Sequence, residues 1–345
     1  MEEKQKILRA ANRGEVEVLR EIQDRCRLDW NQCIYDKTGD SALHVASRAG
    51  YPLVLKYLHV VLKYLHEEGG MSLEQANFDG KRPLHDAAQF SQFKCVEYLI
   101  SQGVEIDPMK RADWTPLMLA CTKQDDAIVK FLAEHGASHG ASPRLRNKDG
   151  WNSFHLACRE GNTSIVSYLL NQDPTLLESR SKNGRTPLHT AALHGHFEIV
   201  KLLTERSEKD TQDMKDTCGT TALMDAIRAG HVSIARYLVD TKVSSFECRD
   251  GLGRTPIHLA AQAGCIPSID FLLDECHMEV NSPASDLSRP LHLAAREGHA
   301  IAVQHLLERE ADDSLKDSHG RTALMVAKDY DQLSCVQLLE KTRPN

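Results

Sequence analysis

A short phrase returns nine times along this chain. Its copies sit at Leu43-His44, Leu84-His85, Leu117-Met118, Phe154-His155, Leu188-His189, Leu223-Met224, Ile257-His258, Leu291-His292 and Leu324-Met325. Seven of the eight steps between copies span 33 to 37 residues, and one spans 41. A fixed period of this length constrains the fold more than any single motif does. Each unit is too small to bury its own apolar face, so neighbouring units must bury it by stacking. Such an array spends nearly every residue on stacking, so a binding surface is expected before an enclosed active site.

For 345 residues, length alone suggests two or three globular domains. The period instead predicts one repeat domain over residues 1–340, with a degenerate N-terminal capping repeat at about 4–33, full repeats over about 36–340 and a short tail at 341–345. The chain is 41% hydrophobic and 26% charged, ordinary values for a folded protein. Its formal net charge of −7 argues against wholesale nucleic-acid binding. No apolar run approaches the roughly 20 residues of a membrane span. Residues Met1 to Arg9 are charged and lack the apolar core of a secretion signal, so a cytoplasmic and nuclear location is expected. The ten cysteines are scattered, and Cys95, Cys121, Cys158 and Cys335 fall at helical core positions, where they read as small buried side chains.

The stretch from Ser181 to Arg206 shows how one unit is specified. Asn183-Gly184 suits a tight turn. Thr186 is placed to cap a helix, with Pro187 at the first helical position, where a missing N–H costs nothing. Leu188, Ala191 and Ala192 mark the apolar face of a short inner helix, and Gly195 ends it. Ile199, Val200, Leu202 and Leu203 give the outer helix its buried stripe. Several units depart from this plan. Ser91 and Gln124 stand where the inner-helix glycine belongs, which predicts less regular turns there, and Tyr330 reads as the replacement for that glycine in the last repeat. Val54 to His59 recurs as Val61 to His66, and the seven-residue insertion reads as a lengthened outer helix. His135 to Ser138 recurs as His139 to Ser142, an insertion placed in a loop.

Seventeen histidines invite a metal or catalytic reading. Those at 44, 85, 155, 189, 258 and 292 occupy the repeated position and read as structural. His194 and His196 lack a third ligand at metal spacing. There is no phosphate loop, no His-Glu-x-x-His and no Gly-x-Ser-x-Gly. No metal or cofactor is therefore expected, and the chain does not read as an enzyme. Trp114 and Trp151 stand out more. They hold the turn position just before the inner helix, where Arg185, Arg254 and Arg321 sit in other repeats. Trp and Arg are enriched at binding hot spots. Arg111, Arg144 and Arg146 lie close by in sequence, so Trp114 and Trp151 framed by these arginines are the candidate partner-binding residues. Packing of both indoles beneath their own turns is the alternative.

The period and the Thr186-Pro-Leu-His189 phrase resemble the ankyrin-repeat family, and the resemblance covers nearly the whole chain. It implies an all-α solenoid of about ten helix-turn-helix repeats with β-like finger turns. Within that family, Ala112-Asp-Trp-Thr-Pro-Leu-Met118, Asn147-Lys-Asp-Gly-Trp-Asn-Ser-Phe-His155, Thr220-Thr-Ala-Leu-Met-Asp-Ala-Ile227 and Lys81-Arg-Pro-Leu-His85 resemble the ankyrin-repeat co-regulators of alanyl-tRNA synthetase. That resemblance implies a partner, the catalytic domain of the synthetase. A continuous stack with two polar ends predicts a monomer, and the net charge and the lack of a long apolar run predict no direct contact with nucleic acid or membrane. The resemblance also implies a role in translational fidelity, in which lysines capture misactivated serine before tRNA-Ala is mischarged. Carried over residue by residue, the implied acceptors are Lys148, inside its Asn-Lys-Asp-Gly-Trp motif, then Lys110 beside Arg111, and Lys182 where Glu178 departs from the pattern. A general scaffold for unrelated proteins is the other reading.

Overall fold

The computed structural model describes residues 2–25, 29–61, 71–135, 140–207 and 214–341. It divides into two compact units, Met1–Leu176 and Leu177–Asn345. Unit 1 holds five helix pairs: α1 (Glu2–Arg13) and α2 (Val16–Arg25), α3 (Ala42–Ala49) and α4 (Pro52–Lys56), α5 (Pro83–Gln89) and α6 (Phe93–Ser101), α7 (Pro116–Thr122) and α8 (Asp126–Glu134), α9 (Ser153–Glu160) and α10 (Thr163–Gln172). Unit 2 holds five more: α11 (Pro187–Leu193) and α12 (Phe197–Arg206), α13 (Ala222–Ala229) and α14 (Val232–Asp240), α15 (Pro256–Gln262) and α16 (Ile266–Asp270), α17 (Pro290–Glu297) and α18 (Ala300–Glu308), α19 (Ala323–Asp329) and α20 (Leu333–Lys341). Within each unit, every inner helix packs on the inner helix of the next pair. Among the described residues there is no β-strand, only isolated bridges such as Lys110 with Trp114.

Local chemistry explains each element. The Thr186 hydroxyl caps α11 by accepting the His189 amide, and Pro187 opens the helix. Leu188, Ala191 and Ala192 of α11 and Ile199, Val200 and Leu203 of α12 are buried, while Leu202 lies at the margin. Cys95, Cys121, Cys158 and Cys335 are buried as small apolar groups. Gly195 takes φ 81°, and a Cβ there would come within 2.5 Å of the His231 ring of the following pair. Ser91 and Gln124 take the same left-handed turn with φ 57° at a strain of about 1 kcal/mol each. The turn geometry is therefore kept without glycine, against the expectation of less regular turns. In the last repeat the left-handed residue is Asp331, with φ 54°, one position after Tyr330. The reading of Tyr330 as the glycine substitute was displaced by one residue. Helix α4 continues into a π-helical turn over Tyr57–Val61, and the rest of the duplicated segment, 62–66, lies outside the described residues. So do 136–139 of the loop duplication and 342–345 of the tail.

The repeated histidines tie consecutive pairs together. Backbone amides of Ser41, Arg82, Thr186, Thr255 and Arg289 donate to Nδ1 of the histidine three residues on. That leaves the proton on Nε2. Nε2 then reaches the carbonyl of the next finger: Lys81 at 2.8 Å from His44, Trp114 at 3.1 Å from His85, Thr220 at 2.9 Å from His189, Ser288 at 3.2 Å from His258, and Arg321 at 3.0 Å from His292. Burial holds these imidazoles neutral and pushes His85 and His258 down to about 4. Met118 and Met224 replace two of the clamps with buried apolar side chains.

Candidate functional site

From Asn77 onward, the fingers are closed by one bond from the amide of the first residue to the carbonyl of the fifth. In unit 1 these pairs are Asn77–Lys81 at 2.8 Å, Lys110–Trp114 at 3.0 Å and Asn147–Trp151 at 2.9 Å. In unit 2 they include Ser181–Arg185 at 2.9 Å, Asp250–Arg254 at 3.0 Å and Asp317–Arg321 at 2.9 Å. The fifth position is therefore the shared slot of Lys81, Trp114, Trp151, Arg185, Arg254 and Arg321, and at Lys81, Trp114 and Arg321 its carbonyl also receives a histidine clamp. The fingers of unit 1 are cross-tied: the Arg111 amide donates to the Asp79 carbonyl at 2.7 Å, and the Lys148 amide to the Ala112 carbonyl at 3.0 Å. That second bond sets the Trp114 and Trp151 fingers side by side.

Both indoles are half-buried. Lys110 Nζ lies 5.7 Å from the centre of the Trp114 ring. Arg159, from α9, lies 5.6 Å from the centre of the Trp151 ring, which also meets the His155 ring at 6.0 Å. Each indole thus packs on its own repeat and keeps one part in solvent, which combines the two sequence readings. A third pair continues the pattern, with Arg48 5.5 Å from the centre of the Phe90 ring. Sequence reasoning missed Arg159 and Arg48. His155 and Arg159 lie one helical turn apart in α9, on the helix that follows Trp151, a signal that would have exposed the first.

The cations around the indoles differ in availability. Arg111 pairs with Asp79 at 3.2 Å on the exposed surface. Arg144 is not in the indole cluster: it forks onto Asp173 at 2.5 and 2.9 Å and donates to Thr175 at 3.0 Å, a site below the outer helices. Arg146 and Lys148 are exposed and make no ion pair among the described residues. Lys182 is exposed and equally unpaired in the first finger of unit 2. Lys110 is half-buried, and burial, with Lys81 and Arg111 nearby, pushes its amine below the usual lysine value against the pull of Asp79 and Asp86.

In unit 2 the same slot is filled by ion pairs. Arg185 contacts the fully buried Asp225, which also takes Arg228 at 3.0 Å. Arg254 bonds Asp250 at 2.7 Å and Gln262 at 2.9 Å. Arg321 bonds Asp317 at 3.0 Å and Asp329 at 3.2 Å. Among the described residues no group of three or more His, Cys, Asp or Glu is arranged to hold a metal, and no helix is long and apolar enough to cross a membrane.

Repeated helix pairs, capped fingers and histidine clamps define a tandem-repeat interaction scaffold. Family models for ankyrin repeats match residues 59–142, 137–214 and 207–284, and a second ankyrin-repeat model matches 272–327. The chain belongs to the ankyrin-repeat family. It is similar to Transient receptor potential cation channel subfamily A member 1 of Homo sapiens, 27% identical over 55% of this chain and 20% of that protein. It is likewise similar to Ankyrin repeat protein nuc-2 of Neurospora crassa, 27% identical over 68% of this chain and 24% of that protein. With B-cell lymphoma 3 protein of Homo sapiens it is 29% identical over 74% of this chain and 49% of that protein. The chain spans between about a fifth and a half of the length of these relatives.

Proposed function

We propose that the chain is a protein-binding co-regulator of alanyl-tRNA synthetase, acting in the cytoplasm and nucleus, and that the fingers of unit 1 are its contact face. One observation carries the choice of face. Two indoles stand in adjacent, hydrogen-bonded fingers, beside the unpaired cations Arg146 and Lys148. Aromatic groups anchored on one side and wet on the other are the usual centre of an interface. The choice of partner rests on the resemblance of the finger segments to ankyrin repeat domain-containing protein 16.

Seryl-adenylate is a mixed anhydride. A neutral lysine amine attacks its carbonyl, an amide bond forms, AMP leaves and the amine loses a proton. The lysine is consumed, so the protein acts stoichiometrically. Alanine and serine differ by one hydroxyl, a difference that binding alone rejects weakly. Of the three acceptors, Lys110 has the environment that most favours the neutral amine, while Lys148 and Lys182 are exposed to an approaching partner.

Trp114→Ala with Trp151→Ala should weaken binding to the synthetase catalytic domain by about 3 kcal/mol, measured by titration calorimetry alongside a melting curve. In the wild-type complex with ATP and serine, peptide mass spectrometry should find serine adducts on Lys110 or Lys148. Unchanged affinity in a folded double variant would remove the interface from these fingers. Capture of other proteins in place of the synthetase would favour the general scaffold.

A further inference from the structure

Unit 2 carries a second repeating feature, one residue before each finger. There Arg180, Lys215, Arg249 and Pro283 occupy the same register in four successive fingers. Each cation reaches forward to the carbonyl of its successor: Arg180 to Lys215 at 3.2 Å, Lys215 to Arg249 at 2.9 Å, and Arg249 to Pro283 at 2.8 Å. Arg249 also donates to the Gly253 carbonyl at 2.7 Å. The three side chains are therefore held in line, one per repeat, and all three residues are exposed. Carbonyl oxygens orient these cations without neutralising them.

None of the three forms an ion pair among the described residues. The acids nearest in sequence are committed elsewhere. Asp216 accepts the Cys218 and Thr220 amides, and Asp250 accepts the Leu252 and Arg254 amides and the Arg254 guanidinium. Glu178 and Glu247 are exposed two residues before Arg180 and Arg249 and pair with neither. The edge thus presents positive charges at intervals of one repeat, about 10 Å from helix-packing dimensions.

That spacing selects among polyanions. A duplex strand carries a phosphate about every 3.4 Å of axis, so most phosphates along this edge would have no cation opposite. An extended peptide in the polyproline II conformation advances about 9 Å per turn of three residues and returns the same face at every third residue. One carboxylate at every third position would therefore meet each cation.

We propose that Arg180, Lys215 and Arg249 form a docking edge for an extended acidic segment of a protein partner, read at one carboxylate per repeat. This goes beyond the synthetase reading and does not depend on it.

The test uses the full chain at low ionic strength and fluorescence anisotropy with labelled peptides of about 12 residues. One peptide has glutamate at every third position among serines, a second has the same number of glutamates in one block, and a third has glutamine at every third position. An oligothymidine of similar length is the fourth probe. The spaced glutamate peptide should bind about 10-fold tighter than the glutamine peptide, the sum of three exposed charge contacts, and tighter than the blocked peptide. Arg180→Gln, Lys215→Gln and Arg249→Gln together should erase that preference. Arg180→Lys, Lys215→Arg and Arg249→Lys together should keep it. Equal binding of spaced and blocked peptides, tighter binding of the oligonucleotide, or a preserved preference in a folded glutamine variant would each overturn the proposal. The peptide comparison on the unaltered chain decides even where a variant fails to fold.

Discussion

The fifth finger position carries an indole in two adjacent fingers of unit 1 and an ion-paired arginine in three fingers of unit 2. Unit 1 places Trp114 and Trp151 there, each with one ring face against a cation. Unit 2 places Arg185, Arg254 and Arg321 there, each bound to an aspartate of its own unit. The backbone at the slot is the same in both, closed by the same amide-to-carbonyl bond. What differs is whether the side chain's interactions are completed internally. An arginine with its carboxylate in place has little left for a partner. A half-buried indole keeps apolar surface in water, and covering that surface is favourable. The repeat frame thus carries internal bonding in one set of fingers and, under the proposed function, a contact face in the other.

Acid offers the strongest challenge to the shared frame. Burial holds His85 in unit 1 and His258 in unit 2 at about 4, below the ordinary histidine value of about 6.5. Their folded values lie below the unfolded one, so their contribution is complete above about pH 6.5 and is lost as pH falls from there towards 4. Each should cost about 3 kcal/mol over that window, at about 1.4 kcal/mol per pH unit. Urea unfolding followed between pH 7 and 4 should show both units weakening together, because each has a clamp of this kind. If one unit alone loses stability, the clamps are not equivalent.

A second experiment separates the two slots. Asp225→Ala leaves Arg185 beside a cavity in place of a carboxylate, and should destabilise unit 2 by about 3 kcal/mol. Lys148→Ala, at an exposed and unpaired position in unit 1, should shift stability by less than about 0.5 kcal/mol. Equal losses would contradict the division between an internally bonded slot and an open one. Thermal melts of the two variants make the comparison.

The smallest expected effect concerns the indole itself. Arg159→Ala should remove about 1 kcal/mol of cation–aromatic contact and shift tryptophan emission to the red as Trp151 gains water. Unchanged emission would mean that Arg159 does not hold the ring.

Much of this was legible from the residues. The period, the Thr186-Pro187 opening, the buried stripe of α12 and the placement of Trp114 and Trp151 in one register follow from local rules about caps, turns and helical spacing. The side-chain partners follow less readily. Arg144 reads as a neighbour of the indoles because it lies close to Trp151 in the chain, but it turns the other way to Asp173, 29 residues on. Lys110 meets the Trp114 ring of its own finger and the charge of Lys81 from the finger before, and no single segment contains both. The Tyr330 reading failed by one position because a left-handed turn residue need not be glycine, and Asp331 tolerates the conformation. Contacts one repeat away decide these cases, and the period alone does not specify them.

Hydrogen–deuterium exchange of the chain with and without the synthetase catalytic domain is the most direct test of an open slot in unit 1 and a closed one in unit 2. Amides of these fingers, such as that of Ala112, which makes no finger bond, and that of Asp149, which donates only to the Asn147 side chain, should exchange more slowly in the complex. Those of the fingers at 216–220 and 250–254 should be unchanged. Protection confined to the fingers of unit 2, or no protection at 110–114 and 147–151 in a complex shown to have formed, would contradict the account.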